Sequence, residues 1–117
     1  WELIERRLAA AARGDFVIVL YNPSSHKRAD YLKRACTILM EHGVTADRAC
    51  GYVENIGREN TKAVTLTLGE LINTSVNMFT TVFIGNSQSE IIDGRLVTKR
   101  GYDIEGIHNN ISSDKQQ

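Results

Sequence analysis

The stretch Phe16-Val17-Ile18-Val19-Leu20-Tyr21 decides the predicted fold, because an unbroken apolar run rich in β-branched residues is typical of a strand. Its pattern favours a strand buried on both faces, as in the middle of an α/β sheet. A helical pattern runs from Glu2 to Arg13 before it and is predicted to stop at Gly14. A turn at Asn22-Pro23-Ser24-Ser25 and a helix from about Lys27 to His42 follow it. The order strand, turn, helix indicates half of a βαβ unit.

The rest of the chain predicts three more strands, a short helix and a hairpin. Thr67 can cap the short helix, with Glu70 completing a capping box. Asp93-Gly94 between two apolar pairs predicts the hairpin turn. We therefore predict an α/β domain with a mixed, largely parallel sheet of about five strands, flanking helices and an edge hairpin. The predicted segments are the strands Arg48 to Glu54, Lys62 to Leu68 and Phe79 to Ile84, the helix around Gly69 to Ile72, and the hairpin Ile91 to Val97.

Composition limits the classes of function. The chain has 117 residues, enough for one domain, and its 14 Lys and Arg balance its 14 Asp and Glu. This balance gives no basic field for nucleic acid, and no apolar run approaches the roughly 20 residues of a membrane helix. Cys36 and Cys50 have no metal-ligand spacing, so we expect free thiols in a reducing cytoplasm and no metal site.

Polar residues follow three of the predicted strands. In open α/β sheets, ligands lie outside the carboxyl ends of the strands. Those ends suit a polar small molecule, although turns need the same residue types. Asp15 and Asp93 are interpreted as turn residues, and the three histidines as surface residues rather than members of a triad. The strand ends are Tyr21-Asn22-Pro23, Glu54-Asn55-Ile56-Gly57 and Gly85-Asn86-Ser87.

Several motifs, taken in order and spacing, resemble the second half of the tetrapyrrole methylases. The Tyr-Asn-Pro-Ser, Gly-Asn-Ser-Gln and Arg-Gly-Tyr elements are similar to those of the precorrin-3B or cobalt-factor III C(17)-methyltransferase branch. The resemblance covers residues 14–103. The motifs are Val19 to Ser25, Val53 to Arg58, Thr65 to Leu71, Met78 to Ser89 and Gly94 to Tyr102.

The resemblance implies a two-domain enzyme that binds S-adenosylmethionine between its domains and methylates a tetrapyrrole, with contraction of the ring. It divides this chain into a helix over residues 1–13 that leads in from an N-terminal domain, a C-terminal domain over 14–103, and a tail over 104–117 that we expect to be disordered. The family's glycine-rich loop does not precede Trp1, so we expect the isolated chain to be inactive. The full-length protein is expected to be a cytoplasmic homodimer.

The resemblance also implies cofactor contacts after the first strand, near the second and around the fourth. They fall on Tyr21 and Asn22, on Cys50 and Gly51, and on Thr80 and Thr81. Small residues at the last two places would let adenosine approach the backbone. Asn55 and Asn86 are second choices.

No catalytic set is found in the sequence, and none is required. Methyl transfer needs mainly alignment and exclusion of water. Two alternatives stay open: another enzyme of the same superfamily, and a non-catalytic α/β module that binds a small molecule. The sequence does not distinguish a cobalt-containing from a cobalt-free substrate.

Overall fold

Four antiparallel strands form the central sheet of the computed structural model, which describes residues 1–21 and 30–99. The strand order is β1-β4-β2-β3, and β5 and β6 pair as a separate two-stranded hairpin. β1 and β2 both run antiparallel to β4, so these two strands point in the same direction. The elements are α1 (Glu2–Arg13), β1 (Ile18–Tyr21), α2 (Tyr31–Glu41), β2 (Ala49–Glu54), β3 (Lys62–Thr67), α3 (Leu68–Leu71), β4 (Thr80–Ile84), β5 (Ser89–Ile92) and β6 (Arg95–Thr98).

The predicted parallel sheet is therefore wrong, although the mixture of helices and strands is confirmed. Parallel neighbours need a crossover of about a dozen residues or more, usually a helix. The connection between β2 and β3, residues 55–61, is too short for this, and Val53 lies opposite Ala63 in an antiparallel ladder. β4 then inserts between β1 and β2. Strand direction was thus decided by loop length and long-range pairing, not by local apolar content.

The prediction that β1 is buried on both faces is also wrong. Leu20 is buried, but its neighbours Val19 and Tyr21 are 38% and 75% exposed. The strand begins at Ile18, and Phe16 is 65% exposed in the turn between α1 and β1, where its N–H donates to Ala11 O. Helices therefore cover only one face of this strand.

The three helices in the described part of the chain pack on the same face of the sheet. The core contains Leu8 of α1, Leu39 of α2 and Leu71 of α3, packed with sheet residues such as Tyr52 and Val82. Burial alternates along β4, as expected for a strand with one covered face. The fold thus has two layers, with helices on one side and an uncovered sheet surface on the other.

Local signals in the sequence predicted several boundaries correctly. α1 spans the predicted residues, and α3 begins with the predicted capping box, in which Thr67 Oγ1 accepts from Glu70 N. The left-handed turn after α1 is made by Asp15 (φ 58°) rather than Gly14 (φ −83°). α2 begins at Tyr31, after its N-cap Asp30, and the predicted turn, the predicted helix start at Lys27 and the predicted tail lie outside the described residues.

Asp15 connects two distant turns at one edge of the sheet. Its Oδ1 accepts from Ser87 N at 2.8 Å, and its Oδ2 accepts from Ser87 Oγ. Arg48 Nη1 lies 3.9 Å from Asp15 Oδ1 and donates to Gly85 O at 3.3 Å. The two Ser87 hydrogen bonds, followed by the charge of Arg48, hold the pKa of Asp15 below its ordinary value. The turn after α1 is thereby fixed to the end of β4.

We expect Asp15→Asn to weaken the fold near neutral pH and to have progressively less effect in acid. A lowered pKa in the folded state stabilises the protein above the ordinary carboxyl pKa, and this contribution is lost as the pH falls through the folded-state pKa. Asn keeps the left-handed turn and removes the charge. Denaturation midpoints measured across an acidic to neutral pH series test this difference.

Asp93→Asn is the matched control for that measurement. Asp93 has a similar backbone (φ 51°), and its side chain has no ion pair or hydrogen bond among the described residues. The control should stay close to the wild type at every pH. An equal, pH-independent shift in both variants would contradict a role for the Asp15 charge.

Candidate functional site

The uncovered surface of the sheet carries two rows of side chains across all four strands. Since partners in register lie side by side, Tyr21, Thr81, Val53 and Ala63 form the first row. The second row is Val19, Phe83, Gly51 and Thr65. We call these eight residues the open face. It combines apolar surface with hydroxyl groups, which is the composition of a small-molecule site.

The hairpin β5–β6 covers the open face at one end and creates a groove. Leu96 lies over Gly51, since its Cδ2 would be 3.8 Å from a Cβ placed on that glycine. The resulting groove has a volume of about 390 Å³ and is bounded by the open face below and by Gly94, Arg95 and Leu96 above. We call it the hairpin groove. Gly51 is buried beneath the hairpin, and because it carries no side chain, its backbone lines the floor of the groove.

Three of the six predicted cofactor contacts lie together on this surface. Tyr21 and Thr81 are partners across β1 and β4, and Gly51 lies in the neighbouring row. Cys50 and Thr80 point to the opposite, helical face, where they are 0% and 1% exposed. Their side chains therefore cannot contact a ligand on the open face. The remaining predicted contact, Asn22, lies outside the described residues.

Thr80 and Cys50 have internal roles on the helical face. Thr80 Oγ1 donates to Asn77 Oδ1 at 2.8 Å, and Cys50 Sγ donates to Arg48 O at 3.5 Å. Burial raises the pKa of the Cys36 thiol to about 12 and that of Cys50 to about 11. Because the thiolate is the reactive species, these groups are unsuited to nucleophilic chemistry. Both cysteines are free, as predicted, and both are buried.

The three predicted strand ends do not meet at one edge of the sheet. Asn55 follows β2 at the edge where β1 also ends, and its N–H donates to Phe79 O at 2.8 Å. Asn86 follows β4 at the opposite edge, because β4 runs in the opposite direction. Asn55 and Asn86 therefore lie at opposite ends of the strands.

Asn55 and Asn86 each stabilise a turn. Asn55 takes a left-handed conformation (φ 61°), and its Nδ2 donates to Asn60 O. Asn86 Oδ1 accepts from Gln88 N at 2.8 Å. These contacts agree with the other interpretation of the sequence, in which both residues form turns and do not bind a ligand.

Sequence reasoning missed the hairpin as part of the site. Leu96 and Arg95 bound the groove, and Val53 and Phe83 form its apolar floor. The alternation of side chains along strands could have placed Val53 beside Gly51, but no local pattern shows that the hairpin folds over β2. Within residues 1–21 and 30–99, no group of three or more His, Cys, Asp or Glu could hold a metal ion. No helix in the same ranges is long and apolar enough to span a membrane.

Comparison with known proteins shows similarity along most of the chain. The cobalt-factor III methyltransferase of Priestia megaterium is 38% identical over 102 residues, which are 87% of this chain and 19% of that protein. The probable cobalt-factor III C(17)-methyltransferase of Salmonella typhimurium is 37% identical over 87% of this chain and 42% of its own length. The precorrin-3B C(17)-methyltransferase of a Sinorhizobium species is 34% identical over 80% of this chain and 36% of its own length. No family model matches the chain.

Two solved structures have a similar fold. The crystal structure of the methyltransferase CobJ has a TM-score of 0.74 and 27% identity, and the match covers 84% of this chain and 41% of that one. The cobalt precorrin-4 methyltransferase CbiF, at 18% identity and a TM-score of 0.55, shares the fold. These relatives confirm the resemblance to the C-terminal part of the tetrapyrrole methylases that the motifs indicated. Within that family it matches proteins named as cobalt-factor III and precorrin-3B C(17)-methyltransferases, and it spans less than half the length of the relatives described above.

Proposed function

We propose that this chain forms the C-terminal, cofactor-binding part of a longer S-adenosylmethionine-dependent methyltransferase that acts on cobalt-factor III or precorrin-3B at C17, with ring contraction. The similarity to curated C(17)-methyltransferases over 87% of the chain carries this proposal. Because the chain spans only 42% of the Salmonella relative, the longer enzyme would supply the opposite wall of the site from an N-terminal domain. We expect that enzyme to be a cytoplasmic homodimer.

The open face fits the chemistry of the proposed cofactor. Adenosine combines a flat apolar base with a hydroxylated ribose, so it needs apolar surface beside a few hydrogen-bonding groups. Val53 and Phe83 offer apolar contact, Tyr21 and Thr81 offer hydroxyls, and Gly51 allows close approach to the backbone. We therefore assign cofactor binding to Tyr21, Gly51 and Thr81.

The contribution of this chain to methyl transfer is binding and orientation. When bound, S-adenosylmethionine supplies an electrophilic methyl group on its sulfonium. The rigid sheet surface would fix the position of the adenosine, and the hairpin would exclude water from the groove. Alignment of this kind can lower a barrier by about 7–11 kcal/mol without a covalent intermediate on the protein. Such a mechanism needs no activated nucleophile. Among the described residues, the thiols of Cys36 and Cys50 are buried and have raised pKa values, so neither provides one.

Two measurements test the proposal. Calorimetry should detect S-adenosylmethionine binding by the longer enzyme, and weak or no binding by the 117-residue chain, because half of the cleft would be absent. The longer enzyme, given S-adenosylmethionine and either cobalt-factor III or precorrin-3B, should form a methylated, ring-contracted product. Absence of transfer to both substrates would contradict the assignment. Equally tight cofactor binding by the 117-residue chain would contradict the proposal that the cofactor site is shared between two domains.

A further inference from the structure

Arg58 stacks on Phe79 at one end of the open face. Its guanidinium carbon lies 3.9 Å from the centroid of the Phe79 ring, which is within the range of a cation–π contact. Phe79 O accepts from Asn55 N at 2.8 Å and so continues the pairing of β4 with β2 by one residue. Because Thr80 points to the helical face, the preceding Phe79 points to the open side, where it is 44% exposed. The stacked pair therefore lies just beyond the row of the open face that contains Thr81.

Hydrogen bonds fix the backbone on both sides of this stack. Asn77 Oδ1 accepts from Phe79 N at 2.8 Å, which holds the residue that carries the ring. In the connection between β2 and β3, Arg58 N donates to Asn55 O at 2.9 Å, and Arg58 O accepts from Thr61 Oγ1 at 3.0 Å. The position of the guanidinium is thus determined by an anchored loop and by stacking on an aromatic ring.

The N–H groups of the Arg58 guanidinium remain available to a ligand. The Phe79 ring covers one face of the guanidinium, but within residues 1–21 and 30–99 its N–H groups make no ion pair or hydrogen bond. Arg34 gives the contrast, because it also stacks on an aromatic ring, that of Trp1, but its Nη2 lies 3.8 Å from Glu5 Oε1. A planar guanidinium with free N–H groups matches a carboxylate, to which it can donate two parallel hydrogen bonds.

We propose that the stacked pair of Arg58 and Phe79 binds a peripheral carboxylate of the tetrapyrrole substrate and thereby holds the rim of the macrocycle at this end of the open face. This inference rests on the proposed function and extends it to a substrate contact. A precorrin carries several acetate and propionate side chains around its rim, with apolar ring edges between them. The surface has a matching composition, since the guanidinium adjoins the exposed Phe79 ring, and Ile56 of the same loop is 58% exposed.

The cofactor carboxylate is the alternative partner, and charge argues against it. The methionine end of S-adenosylmethionine carries an ammonium and a sulfonium close to its carboxylate, so its net attraction to a guanidinium is small. The macrocycle is a polyanion, which a guanidinium attracts. Methyl transfer also requires the macrocycle to lie beside the cofactor. The stacked pair satisfies this requirement, because Phe79 and Thr81 are successive residues on one side of a strand and lie about 7 Å apart.

Substitutions at Arg58 and Phe79 in the longer enzyme test the assignment, with cobalt-factor III and precorrin-3B as macrocycle probes and S-adenosylmethionine measured separately. Arg58→Gln should raise the Kd for the macrocycle roughly ten-fold, because it removes charge-assisted hydrogen bonds. Arg58→Lys keeps the charge and loses the planar fork, so its Kd should lie between those of Arg58→Gln and the wild type. Phe79→Leu keeps apolar contact and removes the aromatic face, so it should raise the Kd by a smaller factor. The Kd for S-adenosylmethionine should not change in any of these variants.

Arg13→Gln is the matched control, because Arg13 is an exposed arginine in the last turn of α1, in the helical layer on the other side of the sheet. It should bind both ligands as the wild type does. Raising the salt concentration should weaken macrocycle binding more in the wild type than in Arg58→Gln. Melting temperatures close to the wild type would exclude misfolding as the cause.

The outcomes separate this inference from the proposed function. A wild-type enzyme that binds neither macrocycle nor cofactor would contradict the proposed function, and Arg58 as a substrate contact with it. A functional wild type with unchanged macrocycle affinity in Arg58→Gln would overturn the inference alone, and unchanged affinity in Phe79→Leu would overturn the role of the stack. Weakened cofactor binding with unchanged macrocycle binding would assign Arg58 to the cofactor carboxylate and likewise overturn the inference.

Discussion

Gly51→Val is expected to weaken S-adenosylmethionine binding by the longer enzyme on the order of 100-fold, about 2.8 kcal/mol, within the range for overfilled packing. A Cβ at this position would already lie 3.2 Å from Val64 O and 3.8 Å from Leu96 Cδ2. The two further methyl groups of valine would occupy the space between the floor of the groove and the hairpin. Calorimetric titration of wild type, Gly51→Ala and Gly51→Val measures the effect as side-chain volume increases.

The same series separates lost binding from lost folding. Valine favours strands more than glycine does, which offsets only part of the cost of crowding, so Gly51→Val should also lower the melting temperature and affinity is measured where the variant is still folded. Cofactor affinity should nevertheless fall from glycine to alanine to valine. Ala10→Val places a comparable side chain on the exposed surface of α1 and should leave affinity unchanged. Undiminished affinity in Gly51→Val would show that the cofactor does not lie against this glycine.

The sequence predicted the local structure of the chain but not the pairing of its strands. The capping box at Thr67 and the Asp93-Gly94 turn were predictable because each depends on neighbouring residues. The direction of β4 was not, because it depends on partners about 30 and 60 residues away in β2 and β1. The apolar residues Val19 and Tyr21 then suggested burial, although helices cover only the other face of β1.

In the candidate site, too, the sequence predicted the positions along the chain but not which side chains share one surface. Resemblance assigned cofactor contacts to two adjacent pairs, Cys50 with Gly51 and Thr80 with Thr81. Adjacent residues of a strand point to opposite faces, so only one side chain of each pair can contact a ligand on one surface. The register of the folded sheet places Gly51 and Thr81 on the open face, whereas Cys50 and Thr80 are buried on the helical face. The position of Leu96 over Gly51 required the folded structure, because the hairpin reaches β2 only through tertiary packing.

The helical layer should be far more sensitive to truncation than the open face. Leu39 lies in α2 with 0% exposure and packs in the core beneath the sheet. We expect Leu39→Ala to lower the free energy of unfolding by about 2–5 kcal/mol, because it removes buried methyl groups and leaves a cavity. Total stability of a domain is only about 5–15 kcal/mol, so this loss is a large fraction of it. Urea denaturation of the 117-residue chain provides the measurement.

Thr37→Ala in the same helix is the control for that loss. Thr37 is exposed, and its Oγ1 donates to Lys33 O at 2.9 Å within the helix. Its removal should change stability by no more than about 0.5 kcal/mol, as is usual for surface substitutions. Similar losses in both variants would contradict the core position of Leu39. Under conditions where the longer enzyme stays folded, Leu39→Ala should bind S-adenosylmethionine normally, since its side chain lies on the opposite side of the sheet from Gly51.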